Sequence, residues 1–262
     1  MTMTRLFQRM TITGLCLLLL ACGSLKKNQK TDESLGLDPE DSPAELYVKL
    51  AEEYYKLGQT DVAFRRAQQA IEADAKYPRA HVWAAFLYEE IGQADRAKEH
   101  YEIALKLSPN SADVLNAYGS YECRRKHYAE ADAQFKKAVA NPLYKTPWIA
   151  LTNAGNCAGQ SGDAGKAEGY YRAALTANPA FGPTLVNLAE LAYKGGDAKS
   201  AKRYLDRYFA PETIRTPATA YTALTLGEQV ERSLGNRKRA DNYSKILKTS
   251  FSQAPKNQVP KT

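Results

Sequence analysis

The sequence predicts an all-α solenoid made of about six copies of a helix-turn-helix unit. Three observations predict it: a glycine about every 34 residues, an alanine five residues after each glycine, and prolines near the ends of several copies. The glycine ends the first helix, because it adopts backbone conformations that other residues resist. The proline stops the second helix. A single helical hairpin cannot bury its apolar face, so the copies must stack.

The glycine and alanine pairs set the register of the copies. They are Gly58 with Ala63, Gly92 with Ala97, Gly162 with Ala167, Gly196 with Ala201, and Gly235 with Ala240. Lys126 takes the place of glycine in the third copy, and Ala131 follows it. The spacings of 34, 34, 36, 34 and 39 residues match the period of the tetratricopeptide repeat. The predicted fold is a tetratricopeptide-repeat solenoid, in which the units form a superhelix.

The same register gives the extent of each repeat. We expect repeats at about residues 44–77, 78–111, 112–146, 148–181, 182–212 and 217–250, which together form a domain over residues 44–250. Large residues such as Tyr101 and Phe135 fill the space between helices, and small ones such as Ala104 and Ala138 allow close approach. The sixth repeat follows a longer connection and should cap the last apolar face.

Residues 1–21 have the pattern of a lipoprotein signal peptide. Two arginines precede an apolar run, residues 10–20, that is too short to span a membrane. The run ends in Leu19-Leu20-Ala21-Cys22, which resembles the lipobox of bacterial lipoproteins. The resemblance implies cleavage before Cys22 and acylation of Cys22, for example with palmitate; an ordinary secretory signal is the alternative. Gly23 follows instead of aspartate, which by analogy favours the periplasmic face of the outer membrane.

The two ends of the mature chain are polar. Residues 22–43 contain the cysteine and few apolar residues, which predicts a flexible tether, and residues 251–262 should form a disordered tail. The formal net charge is +7, but lysine and glutamate alternate along the helices and form no basic block. The charge pattern therefore predicts a solvated surface and no nucleic-acid partner.

The sequence contains no motif for catalysis, a metal or a cofactor. The three histidines, His81, His100 and His127, have no partner at metal-ligand spacing, and we interpret them as packing or surface residues. The glycine-rich segment 159–167 lacks the spacing of a phosphate-binding loop and should be the turn of the fourth repeat. We therefore predict a protein that is not an enzyme and takes no small-molecule substrate, metal or cofactor.

Cys123 and Cys157 are a candidate disulfide pair. They lie in the first helices of adjacent repeats, where the Cα atoms could come within bonding range, and a signal peptide delivers the chain to an oxidising compartment. A bond would stiffen the middle of the solenoid. Two buried free thiols are the alternative.

The first helices should line the concave face, where a partner would bind. The expected groove residues are Val48, Glu52, Tyr55, Val82, Phe86, Glu89, Asn116, Ser120, Asn156, Glu190 and Tyr193. The N-terminal half of this groove is apolar and aromatic and its middle carries amides, which suits a polypeptide ligand. The alternative for any one of these residues is packing against the next repeat. Val48 and Val82 argue against a basic clamp for a carboxyl terminus.

Three strings, together with the lipobox and the repeats, resemble the PilF/PilW family of type IV pilus lipoproteins. The strings are Asp113–Cys123, Phe135–Tyr144 and Ala150–Cys157. The resemblance implies a pilotin, which brings secretin subunits to the outer membrane and promotes their assembly into the pilus channel, and hence twitching motility. The alternative is a lipoprotein scaffold of the same fold for peptidoglycan enzymes or outer-membrane protein assembly.

Overall fold

Twelve α-helices follow one another in residues 41–251, the part of the chain that the computed structural model describes. The predicted signal peptide, Cys22, and most of the predicted tether and tail lie outside these residues. The helices are α1 Pro43–Lys56, α2 Thr60–Ala73, α3 Pro78–Glu90, α4 Ala94–Leu107, α5 Ala112–Arg124, α6 Tyr128–Ala140, α7 Pro147–Gln160, α8 Ala164–Ala177, α9 Gly182–Lys194, α10 Ala198–Tyr208, α11 Pro217–Ser233 and α12 Arg237–Ser250. None of these twelve is both long enough and apolar enough to cross a membrane.

The helices form six antiparallel hairpins that stack in chain order. Each odd-numbered helix packs on the next even-numbered one, from α1 on α2 to α11 on α12. First helices of neighbouring repeats also touch directly, whereas their second helices lack contacts of comparable extent in this part of the chain. The first helices are therefore closer together and form the inner, concave layer. The predicted all-α solenoid is confirmed.

The turn inside each repeat has the left-handed backbone conformation that the glycine register predicts. Gly58, Gly92, Gly162, Gly196 and Gly235 have φ angles from 74° to 88°. Lys126 takes the same turn at φ 66°, and within residues 41–251 it is the non-glycine residue with positive φ. That conformation costs an L-residue about 1–2 kcal/mol. The repeat geometry thus imposes the turn even where the side chain opposes it.

The connection between the fifth and sixth repeats explains the long spacing of 39 residues. Its chain folds back on the start of α9, where Ile214 N–H donates to Ala180 O at 2.9 Å and Gly182 N–H donates to Ile214 O at 3.0 Å. Phe181 and Ile214 thereby form a short parallel bridge. A Cβ atom on Gly182 would lie 2.3 Å from Ile214 O, so the close approach requires glycine.

A pair of glycine substitutions tests the packing of the fourth repeat. A Cβ atom on Gly155 would lie 2.4 Å from the ring of the buried Tyr171, whereas one on Gly169, on the exposed face of α8, meets nothing within 4 Å. We expect Gly155→Ala to lower the free energy of unfolding by about 1–3 kcal/mol through overpacking. Gly169→Ala should raise it by about 0.5–1 kcal/mol, because alanine favours helix. Urea denaturation measures the free energy of unfolding of both variants. If the two substitutions changed it by the same amount, the close packing of Gly155 against Tyr171 would be contradicted.

Candidate functional site

The structure places ten of the eleven expected groove residues, partly exposed, on the first helices. They are Glu52, Tyr55, Val82, Phe86, Glu89, Asn116, Ser120, Asn156, Glu190 and Tyr193. The prediction for Val48 is wrong, because Val48 is fully buried against Ala70 of α2 and Ala80 of α3. The sequence contains a signal for this burial. Ala44, Val48 and Ala51 are spaced four and three residues apart, as are the residues on the buried face of an amphipathic helix.

Three aromatic side chains form a cluster across the first and second repeats. Tyr55 on α1 meets Phe86 on α3 with ring centroids 4.9 Å apart, and Trp83 lies 6.1 Å from Tyr55 and 5.5 Å from Phe86. All three pairs are edge-to-face, and all three residues are half-buried. We call these residues the aromatic cluster. It offers an apolar surface with fixed ring positions to a ligand in the groove.

Carboxylates beside the aromatic cluster tie the first two repeats together. Glu52 accepts from Arg79 Nη2 at 2.6 Å and from Trp83 Nε1 at 2.9 Å, and Arg79 Nη1 also pairs with Glu45 at 2.5 Å. Trp83 and Arg79 are not among the predicted groove residues, although both lie on the face of Phe86, three and seven residues before it. Their contacts hold α1 against α3 and fix the indole ring.

The next carboxylate along the groove, Glu89, is held from two neighbouring helices. Arg124 on α5 donates to it through Nε at 3.1 Å and through Nη2, and the buried Tyr101 hydroxyl donates at 3.1 Å. Burial, followed by the charge of Glu89, raises the pKa of Tyr101, so its hydroxyl stays protonated as a donor. Glu89 thus offers a ligand less free charge than its position alone suggests.

Amide side chains occupy the middle of the groove in pairs that join neighbouring repeats. Asn153 Nδ2 on α7 donates to Asn116 Oδ1 on α5 at 3.0 Å, and Asn187 Nδ2 on α9 donates to Asn156 Oδ1 on α7 at 2.6 Å. We call Asn116, Asn153, Asn156 and Asn187 the asparagine ladder. Asn116 and Asn156 are predicted groove residues, whereas their partners Asn153 and Asn187 are not. Ser120 donates back to Asn116 O of its own helix at 3.0 Å.

Cys123 and Cys157 lie beneath this part of the groove. The structure joins them as a disulfide between α5 and α7, with Cα atoms 5.7 Å apart, and both residues are buried beside Phe135 and Ala154. The Cα separation is within the range that a disulfide requires. This Cα separation permits a disulfide, and its formation in the purified protein stays a prediction.

Two of the three histidines form a pair that the spacing of the sequence did not predict. His81 Nδ1 lies 3.1 Å from His100 Nδ1, and His81 Nε2 lies 2.9 Å from Ala75 O. Since a carbonyl oxygen only accepts, His81 Nε2 carries the hydrogen, and with both rings neutral His100 Nδ1–H donates to His81 Nδ1. The third, His127, contacts Glu122 at 2.6 Å. In the described residues no three histidine, cysteine or acidic side chains are grouped to hold a metal.

The histidine pair predicts an acid-sensitive second repeat. Burial, then the neighbouring His81, lowers the pKa of His100 below 6.5; Glu99 opposes this shift and Arg96 adds to it. The unfolded chain therefore takes up the proton first, and stability falls as the pH drops below about 6.5. We expect the melting temperature to fall less in the His100→Gln variant than in the unmodified chain when the pH is lowered from about 7.5 to 5.5. If the melting temperatures of the two proteins fell by the same amount over this pH range, His100 would have no part in the effect.

Comparisons with known proteins identify the family. The chain matches the family model described as tetratricopeptide repeat at residues 54–121 and 160–212. It is 26% identical over 211 residues to the type IV pilus assembly protein PilF of Pseudomonas aeruginosa. The matched residues cover 80% of this chain and 82% of PilF. The crystal structure of PilW, a widely conserved type IV pilus biogenesis factor, matches with a TM-score of 0.65 and 30% identity, over 82% of this chain and 96% of PilW. The chain belongs to the PilF/PilW family.

A second solved structure agrees with this assignment. Pseudomonas aeruginosa PilF matches with a TM-score of 0.62 and 25% identity, over 81% of this chain and 93% of that chain. The resemblance in the three sequence strings is thereby confirmed at the level of the family. The chain is a tetratricopeptide-repeat protein of type IV pilus biogenesis, and the aromatic cluster and asparagine ladder are its candidate binding surfaces within the PilF/PilW fold.

Proposed function

We propose that this PilF/PilW family member is a pilotin. It is a lipoprotein anchored through Cys22 at the periplasmic face of the outer membrane, where it binds secretin subunits and promotes their multimerisation. The observation that carries the proposal is the half-buried aromatic cluster on the inner face of the first two repeats, in a protein of this family. Tyrosine and tryptophan in such a position are the residues that most often dominate the affinity of a protein interface.

The mechanism is physical and needs no catalytic group. Acyl chains on Cys22 contribute about 0.8 kcal/mol for each buried CH₂, so several chains fix the protein to one membrane. The inner face then holds a secretin segment near that membrane and raises the local concentration of subunits. Because one protein both inserts into the membrane and binds a secretin segment, the effective concentration of subunits at the membrane rises. This favours assembly without any new contact between secretin subunits.

A pair of strains tests the proposal. In a deletion strain we expect secretin multimers and twitching motility to be lost. A strain with Cys22→Ser should keep a folded chain that binds secretin after purification, but the protein should leave the outer-membrane fraction and multimers should fall. Normal multimers in the deletion strain would overturn the proposal. Recovery of peptidoglycan hydrolases or barrel-assembly proteins from detergent extracts, without secretin, would favour the scaffold function instead.

A further inference from the structure

We infer that the outer layer of the fifth and sixth repeats docks on a bilayer of anionic phospholipids through a surplus of lysine and arginine residues. The inference rests on the proposed function, in which an acyl anchor holds the chain at a membrane, and it adds how the array is oriented there. It assigns a surface on the opposite side of the array from the groove.

The positive charge of the array is concentrated on its last two second helices. α10 and α12 carry nine lysine and arginine residues against two aspartates. The four preceding second helices, α2, α4, α6 and α8, together carry nine such residues against eight acidic ones. The surplus forms no basic block in the sequence, because α11 separates the two helices along the chain and folding brings them together.

The carboxylates of this region are already engaged in ion pairs. Asp206 of α10 pairs with Lys202 at 2.6 Å and also with Arg239 of α12. The buried Glu231 of α11 contacts the same two cations, at 3.7 Å and 3.1 Å. Asp241, the aspartate of α12, pairs with an arginine of α11 at 3.2 Å. These pairs hold α10 beside α12, and the two helices have no further carboxylate to neutralise their other cations.

Six cations of α10 and α12 stay exposed and form no ion pair within residues 41–251. Of the other three, Lys202 and Arg239 are paired, and Arg207 donates to the carbonyl oxygen of Pro179 at 3.2 Å. We call the six the basic face: Lys199, Arg203, Arg237, Lys238, Lys245 and Lys248.

The basic face has the composition of a lipid-binding surface and lacks that of a protein interface. Every exposed residue of α10 and α12 is charged or polar. The centre of a protein interface is depleted of charge and holds aromatic or aliphatic anchors. Phospholipid headgroups need no such anchor, and each lysine or arginine near an anionic leaflet strengthens binding about fivefold. The charge and the lack of exposed apolar residues therefore favour a bilayer as the partner.

The position of the basic face determines which way the groove points. The predicted tether joins the array at α1, whereas the basic face lies on the last two repeats, so the two attachments are at opposite ends of the array. Since the second helices form the outer layer, docking through α10 and α12 turns the first helices away from the bilayer. The inner face is then open to a secretin subunit.

The first test uses the acylated protein, extracted from membranes and reconstituted into vesicles. One set of vesicles is an equimolar mixture of phosphatidylglycerol and phosphatidylcholine, and the other is phosphatidylcholine alone. Labelling with an amine reagent, read by mass spectrometry, reports how accessible each lysine is. We expect Lys199, Lys238 and Lys245 to react about fivefold or more slowly on the anionic vesicles. The difference should vanish in about 0.5 M salt, which screens charges beyond a few ångströms.

The matched controls lie in the same molecule. Lys106 of α4 and Lys137 of α6 are exposed lysines of the outer layer that form no ion pair within residues 41–251, and they should react equally on both kinds of vesicle. Equal labelling of the basic face on the two kinds of vesicle would overturn the inference. Protection by purified secretin subunits but not by anionic vesicles would also overturn it, and would identify an acidic protein segment as the partner.

The same experiment separates the inference from the proposed function. Association with anionic vesicles but not with neutral ones would contradict the acyl anchor of the proposed function, while supporting docking through the basic face. Association with both kinds of vesicle, without protection of the basic face on either, would support the anchor and overturn the inference.

Charge-neutralised variants provide the second test. Lys238→Gln with Lys245→Gln should weaken docking about 25-fold, at about fivefold for each lysine, so that Lys199 reacts at the same rate on both kinds of vesicle. Lys106→Gln with Lys137→Gln removes the same charge from the outer layer and should leave the protection of Lys199 unchanged. Circular dichroism checks that both variants stay helical. Equal loss of protection in the two variants would show that net charge, and not this face, is responsible, and would overturn the inference.

Discussion

Replacing Cys123 and Cys157 together by alanine is expected to lower the free energy of unfolding by about 3–4 kcal/mol. The two residues are separated by 34 positions, and a bond that closes a loop of this length removes much conformational freedom from the unfolded chain. Chemical denaturation under non-reducing conditions, followed by circular dichroism, measures the change. The loss should centre on the third and fourth repeats, whose first helices the bond joins.

Reduction provides the matched control for this prediction. The unmodified chain in a reducing agent should unfold at nearly the same denaturant concentration as the double alanine variant, and the variant itself should not respond to the reducing agent. If a maleimide labels both cysteines of the denatured, non-reduced protein, the residues are free thiols and the prediction fails.

Truncating the aromatic cluster should abolish most secretin binding. We expect Tyr55→Ala with Phe86→Ala to weaken binding about 100-fold or more, because a central aromatic residue of an interface contributes about 2 kcal/mol or more. The two rings meet across the first and second repeats at 4.9 Å, so both belong to one contact surface. Biolayer interferometry with the purified secretin subunit gives the dissociation constants.

The choice of residues and control separates binding from folding. Trp83 is left unchanged, because its N–H donates to Glu52 beside Arg79 and its removal would also loosen the first repeat. Leu143→Ala is the control, since Leu143 is 84% exposed in the turn between α6 and α7 and its loss removes apolar surface elsewhere. Wild-type affinity in a fully helical Tyr55, Phe86 double variant would show that the aromatic cluster is not the docking surface.

The periodicity of the sequence was sufficient for the fold but not for the pairs within the groove. Repeat register predicted which residues lie on first helices, and it placed Lys126 at the turn position of the third repeat, where the structure gives this residue a left-handed φ of 66°. It did not predict that Asn153 would reach Asn116, because such contacts depend on how far each repeat rotates relative to the next. The prediction for Val48 is wrong for a local reason. Val48 and Val82 occupy equivalent positions in the first two repeats, but Val48 is buried against neighbouring helices, whereas Val82 is only half-buried.

Within residues 41–251 the hairpin of α1 and α2 is the first unit of the array, and the aromatic cluster exists only while this hairpin is docked, because Tyr55 comes from α1 and its two partners come from α3. End units of a linear repeat protein have one neighbour instead of two and open most easily. Ligand capture at this edge is therefore thermodynamically linked to closure of the first hairpin. A bound partner should slow hydrogen exchange of the α1 amides far more than that of the central helices.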